Sequence, residues 1–291
     1  MTPEVLRYAA FTRDGSGGNP AGVVLDADRL TDSHMLSIAK TIGYSETAFV
    51  SRREDGSLGM RFFSPLAEVA FCGHATVASA IAIAERTAPG ALSFETPAGL
   101  VHVLTERHGS ELTATLTSPP ASSRAAGDDE LHEVLSAFGW TPDDLHVNFP
   151  PHVAFAGNHH LVVGVRDRQT LSDFGYDFDR LAEVMARRTW TTVHVFHPRG
   201  RNSYDVRNAF PPGGVREDPA TGAAAAAFGG YLRAVGAFDP SAETVLFQGD
   251  DIGAPSTLVI SGVPDSDSIR VRGTARSIPL SPLDLDVEEN R

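Results

Sequence analysis

The feature that most constrains this chain is a segment that occurs twice. Each half holds a run of small residues that follows a strand-like stretch and a turn and opens a helix: Cys72-Gly73-His74-Ala75-Thr76 in the first, Asp218-Pro219-Ala220-Thr221-Gly222 in the second. A strand, a turn and a helix start recurring in matching order read as a weak internal duplication, with the two helix N-termini as equivalents. The length of 291 residues suits that reading, since at roughly 150 residues per domain it accommodates about two. With 42% apolar residues, each half can bury a core. Fibres, disordered tails and mini-proteins are excluded.

Apolar and β-branched runs bounded by Gly, Pro and Asp predict strands at 5–11, 22–25, 47–50, 60–63, 91–95, 101–105 and 112–117. Helices are predicted over Asp32 to Ile42, with Thr31 as its cap, and over His74 to Arg86, with Val77, Ile81 and Ala84 on one face. The second half repeats the mixture, with helices at 130–138, 179–187 and 221–235 among strands at 153–156, 161–165, 192–197, 203–208, 244–248, 256–261 and 269–273. Strands come in runs instead of alternating strictly with helices, which favours an α+β architecture. The Pro-, Ser- and Ala-rich stretch 119–129 lacks an apolar period and reads as a linker. The expected domains are therefore 1–118, joined by the C-terminal 274–291, and 130–273.

Charge and cysteine content narrow the function. The net charge is −13, and Lys40 is the one lysine, so the chain lacks the basic field that nucleic-acid binding needs. Cys72 is the single cysteine, which rules out an intrachain disulfide and a Cys-rich zinc site. The N-terminus has no basic and apolar signal pattern, and no apolar run is long enough to span a membrane; a cytoplasmic protein without membrane partners is expected. No dinucleotide-binding, P-loop or metalloprotease pattern is present, and His159-His160 alone is a poor metal signature. No metal or organic cofactor is expected. His102, His108, His132, His146, His152 and His194 read as ordinary polar positions.

Three segments look too specialised to be scaffold. In Tyr44-Ser45-Glu46-Thr47-Ala48-Phe49-Val50 a carboxylate stands just before an apolar strand with no basic residue within three positions. Such a carboxylate is partly desolvated, and desolvated carboxyls suit general acid/base work; from position alone a strand-edge glutamate paired with an arginine is the favoured alternative. In the segment ending Cys72-Gly73-His74, the glycine permits close approach to the backbone and the helix amides favour an anion. There His74 serves either as a proton-handling imidazole or as a helix cap, and Cys72 as a reactive or as a buried inert thiol. In Glu217-Asp218-Pro219-Ala220-Thr221-Gly222-Ala223, Pro219 sets a turn before another open helix start, and Asp218 reads as an N-cap or as a catalytic acid. Should the two helix starts face each other, Glu46, His74 and Asp218 would line one cleft suited to a small carboxylate.

These residues, with Gly18-Asn19-Pro20-Ala21-Gly22, Phe63-Ser64-Pro65 and Phe247-Gln248-Gly249, occur in the order and spacing of the PhzF family of phenazine-biosynthesis isomerase-like proteins. The chain resembles that family over nearly its whole length. The resemblance implies a diaminopimelate epimerase fold of two pseudo-symmetric domains, each a barrel-like sheet around a central helix, and usually a homodimer. It implies Glu46 as general acid/base, with His74 and Asp218 holding substrate or handling protons, and it places Asn19, Ser45, Cys72, Gly73, Thr221, Gly222 and Ala223 along a small carboxylate substrate.

Two departures stand out. Ala223 occupies a position where the family commonly has serine, and Ser16 stands where an aromatic residue is frequent. The expected activity is a cofactor-independent isomerisation of an unsaturated carboxylate in phenazine-like or alkylproline-like antibiotic biosynthesis. An amino-acid epimerase or racemase using non-cysteine bases and a non-catalytic small-carboxylate binding protein are the rivals. The single Cys72 stands against a two-thiol epimerase, which needs a cysteine from each half.

Overall fold

The computed structural model describes residues 3–53 and 55–279. The chain divides into two compact units: one takes in Pro20–Ala114 with the chain up to Gly15 and from Thr274, the other Ser16–Asn19 and Thr115–Gly273. Of the segment 274–291, residues 280–291 lie outside the described residues.

The first unit is built from β1 (Leu6–Ala10), β2 (Asn19–Val24), α1 (Asp32–Ile42), β3 (Thr47–Arg52), β4 (Leu58–Phe63), the two-residue β5 (Glu68–Val69), α2 (Gly73–Arg86), β6 (Ala91–Thr96), β7 (Gly99–His108) and the start of β8 (Glu111–Pro120). Helix α1 begins and ends where its caps dictate: Thr31 Oγ1 accepts from the His34 amide, and Gly43 closes it in the left-handed region at φ 71°. β2 and β3 are parallel across α1, β3 and β4 antiparallel, β4 and β6 parallel across α2, and β6 and β7 antiparallel.

The second unit has the same plan. After β9 (Ser122–Ala125), α3 (Asp128–Phe138) and β10 (His152–Phe155) come β11 (His159–Gly164), α4 (Arg168–Ser172), α5 (Phe178–Arg188), β12 (Trp190–Gly200), β13 (Ser203–Ala209), the two-residue β14 (Glu217–Asp218), α6 (Gly222–Ala234), β15 (Thr244–Gln248), β16 (Ser256–Gly262) and β17 (Ser268–Ser277). β11 and β12 are parallel across α4 and α5, β12 and β13 antiparallel, β13 and β15 parallel across α6, β15 and β16 antiparallel. The recurrence of one strand-and-crossover order in both units is the duplication expected from the repeated helix starts.

Both central helices are buried on nearly every side. Residues 74–82 of α2 and 224–232 of α6 are buried without interruption, so α2 is not the one-faced helix that Val77, Ile81 and Ala84 suggested. Strands can close around a helix only if its side chains are small, which explains the alanines of both helices and the glycines of α6. A Cβ at Gly229 would lie 2.9 Å from the Ile269 side chain, and one at Gly230 2.9 Å from Ala121.

The expected linker carries regular structure. Residues 122–125 form β9, which pairs antiparallel with β10 from Ser122↔Phe155 to Ala125↔His152, and Asp128 already opens α3. The side chains of β9 point mostly to solvent. The strand is held by backbone pairing, which leaves no apolar alternation to detect. Among the described residues, no helix is long and apolar enough to cross a membrane.

Two histidines, His160 and the His194 expected at an ordinary polar position, lie in the core of the second unit. His160 and His194 are 0% and 1% exposed. The Thr192 hydroxyl donates to Asn208 Oδ1 at 2.9 Å, so at 2.8 Å it accepts from His160 Nδ1; His194 Nδ1 donates to the same Asn208 oxygen at 3.2 Å. Both rings are thus neutral Nδ1–H tautomers whose Nε2 atoms have no hydrogen-bond partner. Burial moves His160 from its ordinary 6.5 down to about 3 and His194 down to about 4. The unfolded chain therefore binds protons that the native rings refuse. Stability contributed by the neutral rings is whole above pH 6.5 and is lost as pH falls toward 4 and then 3. In that window the loss steepens by up to about 1.4 kcal/mol per pH unit for each ring. Thermal melts from pH 7 to 4 should show this decline, and His194→Asn should flatten it relative to its own neutral value.

Candidate active site

In the first unit, Ser45 and Glu46 lead into β3 while Cys72, Gly73 and His74 sit at the start of α2. The N-cap of α2 is Cys72 in an extended conformation, and its side chain makes no capping hydrogen bond. His74 is therefore not a cap: it lies inside the first turn, and its ring reaches back over the helix start. There His74 Nε2 stands 3.5 Å from Glu46 Oε2, with the two side chains 7% and 15% exposed. Cys72 Sγ lies 3.3 Å from His74 Nδ1 and 3.7 Å from Nε2. Among the described residues, the ionic neighbour of Glu46 is the His74 ring. A carboxylate and an imidazole in contact, largely withdrawn from water, can pass a proton, and the amides of the helix start beside them can hold an anion.

In the second unit the residues around Asp218 form a closed hydrogen-bond network. Asp218 ends β14, is 8% exposed, and accepts from Asn19 Nδ2 at 2.7 Å through Oδ1 and from the Thr221 hydroxyl at 2.6 Å through Oδ2. Asn19 Nδ2 also donates to the Ala220 carbonyl. The N-cap of α6 is Thr221, so the reading of Asp218 as N-cap is replaced by one in which the aspartate orients the cap residue. Gly222 and Ala223 form the first turn of α6, the glycine buried and Ala223 half-buried. The burial pattern from Thr221 through Gly230 is the same as that from Phe71 through Ala80.

Two residues, one inside this network and one beside it, were given no role from the sequence. Gln248, at the end of β15, donates through Nε2 to the Asp218 carbonyl at 2.6 Å and accepts from the Thr221 amide through Oε1 at 3.1 Å. The available signal was a glutamine closing an apolar strand immediately before a glycine. Arg207 is the other: its guanidinium grips Glu217, the neighbour of Asp218, through Nε and Nη2, with the side chains 8% and 6% exposed. Its Nη1 donates to the Leu171 and Ser172 carbonyls, and the guanidinium stacks on Phe174. Burial pushes the Glu217 carboxyl up from the ordinary carboxylate range, against the pull of Arg207. The pair lies ten residues apart, a spacing without a local signature.

Gly249 shows how tightly the turn before α6 is packed. It sits at φ 78°, and a Cβ there would lie 2.1 Å from the Ala254 carbonyl oxygen and 2.9 Å from that of Pro219. The left-handed conformation alone costs a non-glycine residue about 1–2 kcal/mol, and the backbone contacts leave no flexible atom to yield. Gly249→Ala is expected to lower the melting temperature by several degrees, by about 2–4 °C per kcal/mol. A melt indistinguishable from wild type would show that the 249–254 turn is not built this tightly.

Among the described residues, Glu46, Cys72 and His74 are the group whose donor atoms, all within 4.8 Å of one another, could hold a metal ion.

A family model described as "Phenazine biosynthesis-like protein" matches residues 8–278. The chain is 33% identical over 283 residues to an uncharacterized isomerase of Deinococcus radiodurans, covering 94% of this chain and 90% of that protein. It is 32% identical over 251 residues to the trans-2,3-dihydro-3-hydroxyanthranilate isomerase of Pseudomonas chlororaphis, covering 86% of each. Among solved structures it is similar to the Bacillus anthracis phenazine biosynthesis protein of the PhzF family, with a TM-score of 0.84 at 28% identity over 96% of this chain and 98% of that one.

Proposed function

The chain belongs to the phenazine biosynthesis-like family and is an isomerase with a diaminopimelate epimerase-like fold, and we propose that it moves a proton along a small unsaturated carboxylate with Glu46 as general acid/base. One observation carries the assignment: the Glu46 carboxylate and the His74 imidazole lie 3.5 Å apart, both largely withdrawn from water, at the start of α2. In the step we envisage, the Glu46 carboxylate takes a proton from an activated carbon. The electron pair of that C–H bond shifts through the conjugated system, and Glu46 returns the proton at its far end. The base is regenerated and the atoms balance, so the scheme itself calls for no cofactor. His74 holds the Glu46 carboxylate in place and can receive a polar group of the substrate. Amides at the helix start near Gly73 supply local positive potential for a carboxylate, which the overall charge of −13 does not.

Asp218, fixed on both oxygens by Asn19 and Thr221, is a preorganised group suited to holding a substrate donor. The name of the Pseudomonas relative suggests the substrate type, a dihydro-hydroxyanthranilate, and with it a step of natural-product biosynthesis. A two-thiol epimerase is disfavoured, since Cys72 has no second cysteine to serve the opposite face of a substrate.

Purified protein supplied with trans-2,3-dihydro-3-hydroxyanthranilate is expected to change its ultraviolet spectrum as the conjugation moves, and to leave the enantiomers of proline and hydroxyproline unchanged. Inversion of an amino acid with no action on the diene would overturn the proposal.

A further inference from the structure

We infer that Glu46, Cys72 and His74 form a binding site for a soft divalent cation of the zinc class, and that its occupation stops turnover; the second half rests on the role proposed for Glu46. The three side chains offer a carboxylate oxygen, a thiol sulfur and an imidazole nitrogen within 4.8 Å of one another. Around His74 Nε2 the spacings are 3.5 Å to Glu46 Oε2 and 3.7 Å to Cys72 Sγ. Zinc bonds of about 2.0 Å to nitrogen or oxygen and about 2.3 Å to sulfur, at tetrahedral angles, give donor-to-donor edges of roughly 3.3–3.5 Å. The two spacings at Nε2 exceed those edges by a few tenths of an ångström at most, and the third, between the Glu46 carboxylate and the Cys72 sulfur, lies within 4.8 Å and closes as the Cys72 side chain turns. The thiol now lies beside both ring nitrogens, so coordination calls for a turn of the Cys72 side chain toward Nε2.

The donor set selects the ion. A thiolate and an imidazole favour Zn²⁺, Cd²⁺ or Co²⁺ over Mg²⁺ and Ca²⁺, which take oxygen ligands. The α2 N-terminus opposes a cation. A thiolate and a carboxylate together carry the charge of −2 that a divalent ion neutralises, and a neutral site would not outweigh the dipole. On binding, the Cys72 thiol gives its proton to solvent as the metal–sulfur bond forms. His74 binds as neutral imidazole, Glu46 as carboxylate, and water fills the fourth position. Metal and substrate then compete for Glu46, because an oxygen lone pair bound to the ion cannot accept a proton from carbon. An open three-ligand site of this kind makes the same groups that handle the proton a target for zinc inhibition.

The test is titration of the purified wild-type chain with Co²⁺ in metal-free buffer, followed by absorption. The expected result is one Co²⁺ per chain with visible bands of four-coordinate intensity and a near-ultraviolet thiolate-to-metal charge-transfer band, all abolished by excess Zn²⁺. Cys72→Ser should lose the charge-transfer band, and His74→Gln should lose the four-coordinate bands, with circular dichroism confirming that each variant is folded. Wild-type protein without a charge-transfer band, or the band persisting in Cys72→Ser, overturns the site. Turnover of the dihydro-hydroxyanthranilate measured along the same Zn²⁺ titration should fall with the binding curve and return on adding a chelator. Metal binding with unaltered turnover overturns the inhibitory half, and it is distinguishable from failure of the isomerase proposal, which would appear as absent turnover before any metal is added.

Discussion

Glu46→Gln is expected to leave the fold intact and to lower turnover by about 10²- to 10⁴-fold, the usual cost of removing one positioned base. The amide keeps the size of the side chain and still reaches His74, so binding should change little and the loss should fall on kcat. The amide has no lone pair basic enough to take a proton from carbon. Glu46→Asp separates the two requirements: it keeps the carboxylate but draws it back from the His74 ring, now 3.5 Å away, and an intermediate rate is expected. Steady-state kinetics of the three proteins, with matched circular dichroism, check this. Equal rates for wild type and Glu46→Gln would remove Glu46 from the mechanism.

The second large effect is on stability. Arg207→Met keeps the apolar stem but strips the positive charge from a pair whose side chains are 8% and 6% exposed. It leaves the Glu217 carboxylate buried without its counter-ion and the Leu171 and Ser172 carbonyls without their donor. Breaking such a buried pair on one side costs about 3–5 kcal/mol, which at about 2–4 °C per kcal/mol lowers the melting temperature by of order 10 °C.

The loss should depend on pH in a definite direction. Burial already pushes the Glu217 carboxyl above its ordinary 4.5 against the pull of Arg207. With the guanidinium gone, native Glu217 holds its proton more tightly than the unfolded chain does. The variant is then least impaired below pH 4.5 and becomes progressively weaker as pH rises through the raised native value. Replacing both partners, Arg207→Met with Glu217→Leu, should recover most of the stability, because a buried ion pair exchanged for apolar groups is close to neutral. Arg207→Met at wild-type stability at neutral pH would show that the pair is solvated.

What the sequence disclosed followed the range of the forces involved. Helix α1 was legible to the residue because Thr31 and the glycine at 43 act within one turn of its ends. The central helices were legible as helices but not as fully buried ones, since alanine and glycine fit an exposed face as readily as a crowded interior. β5 and β14 escaped because two residues cannot show alternation, and β9 because its pairing with β10 is a matter of backbone alone.

At the site the difference was sharper. Glu46 and His74 are 28 positions apart, and position alone left the glutamate open between an acid/base and a strand-edge partner of an arginine. Family resemblance singled out both residues, yet only the folded chain shows them in contact. Gln248 stood inside a motif already noticed, but its two hydrogen bonds across the turn to Asp218 and Thr221 exist only once β15 lies beside β13. The single cysteine, first an argument against two-thiol inversion, lies in the structure against the His74 ring.

The central claim is that this isomerase moves a proton within a conjugated carboxylate without inverting a stereocentre. Proton NMR of the reaction of purified wild-type protein with trans-2,3-dihydro-3-hydroxyanthranilate in D₂O tests it most directly. The account predicts loss of the original pattern of double bonds, a new sp³ carbon at the far end of the conjugated system, and any solvent deuterium confined to that carbon. An unchanged double-bond pattern, with deuterium entering at the carbon bearing the amino group, would contradict it.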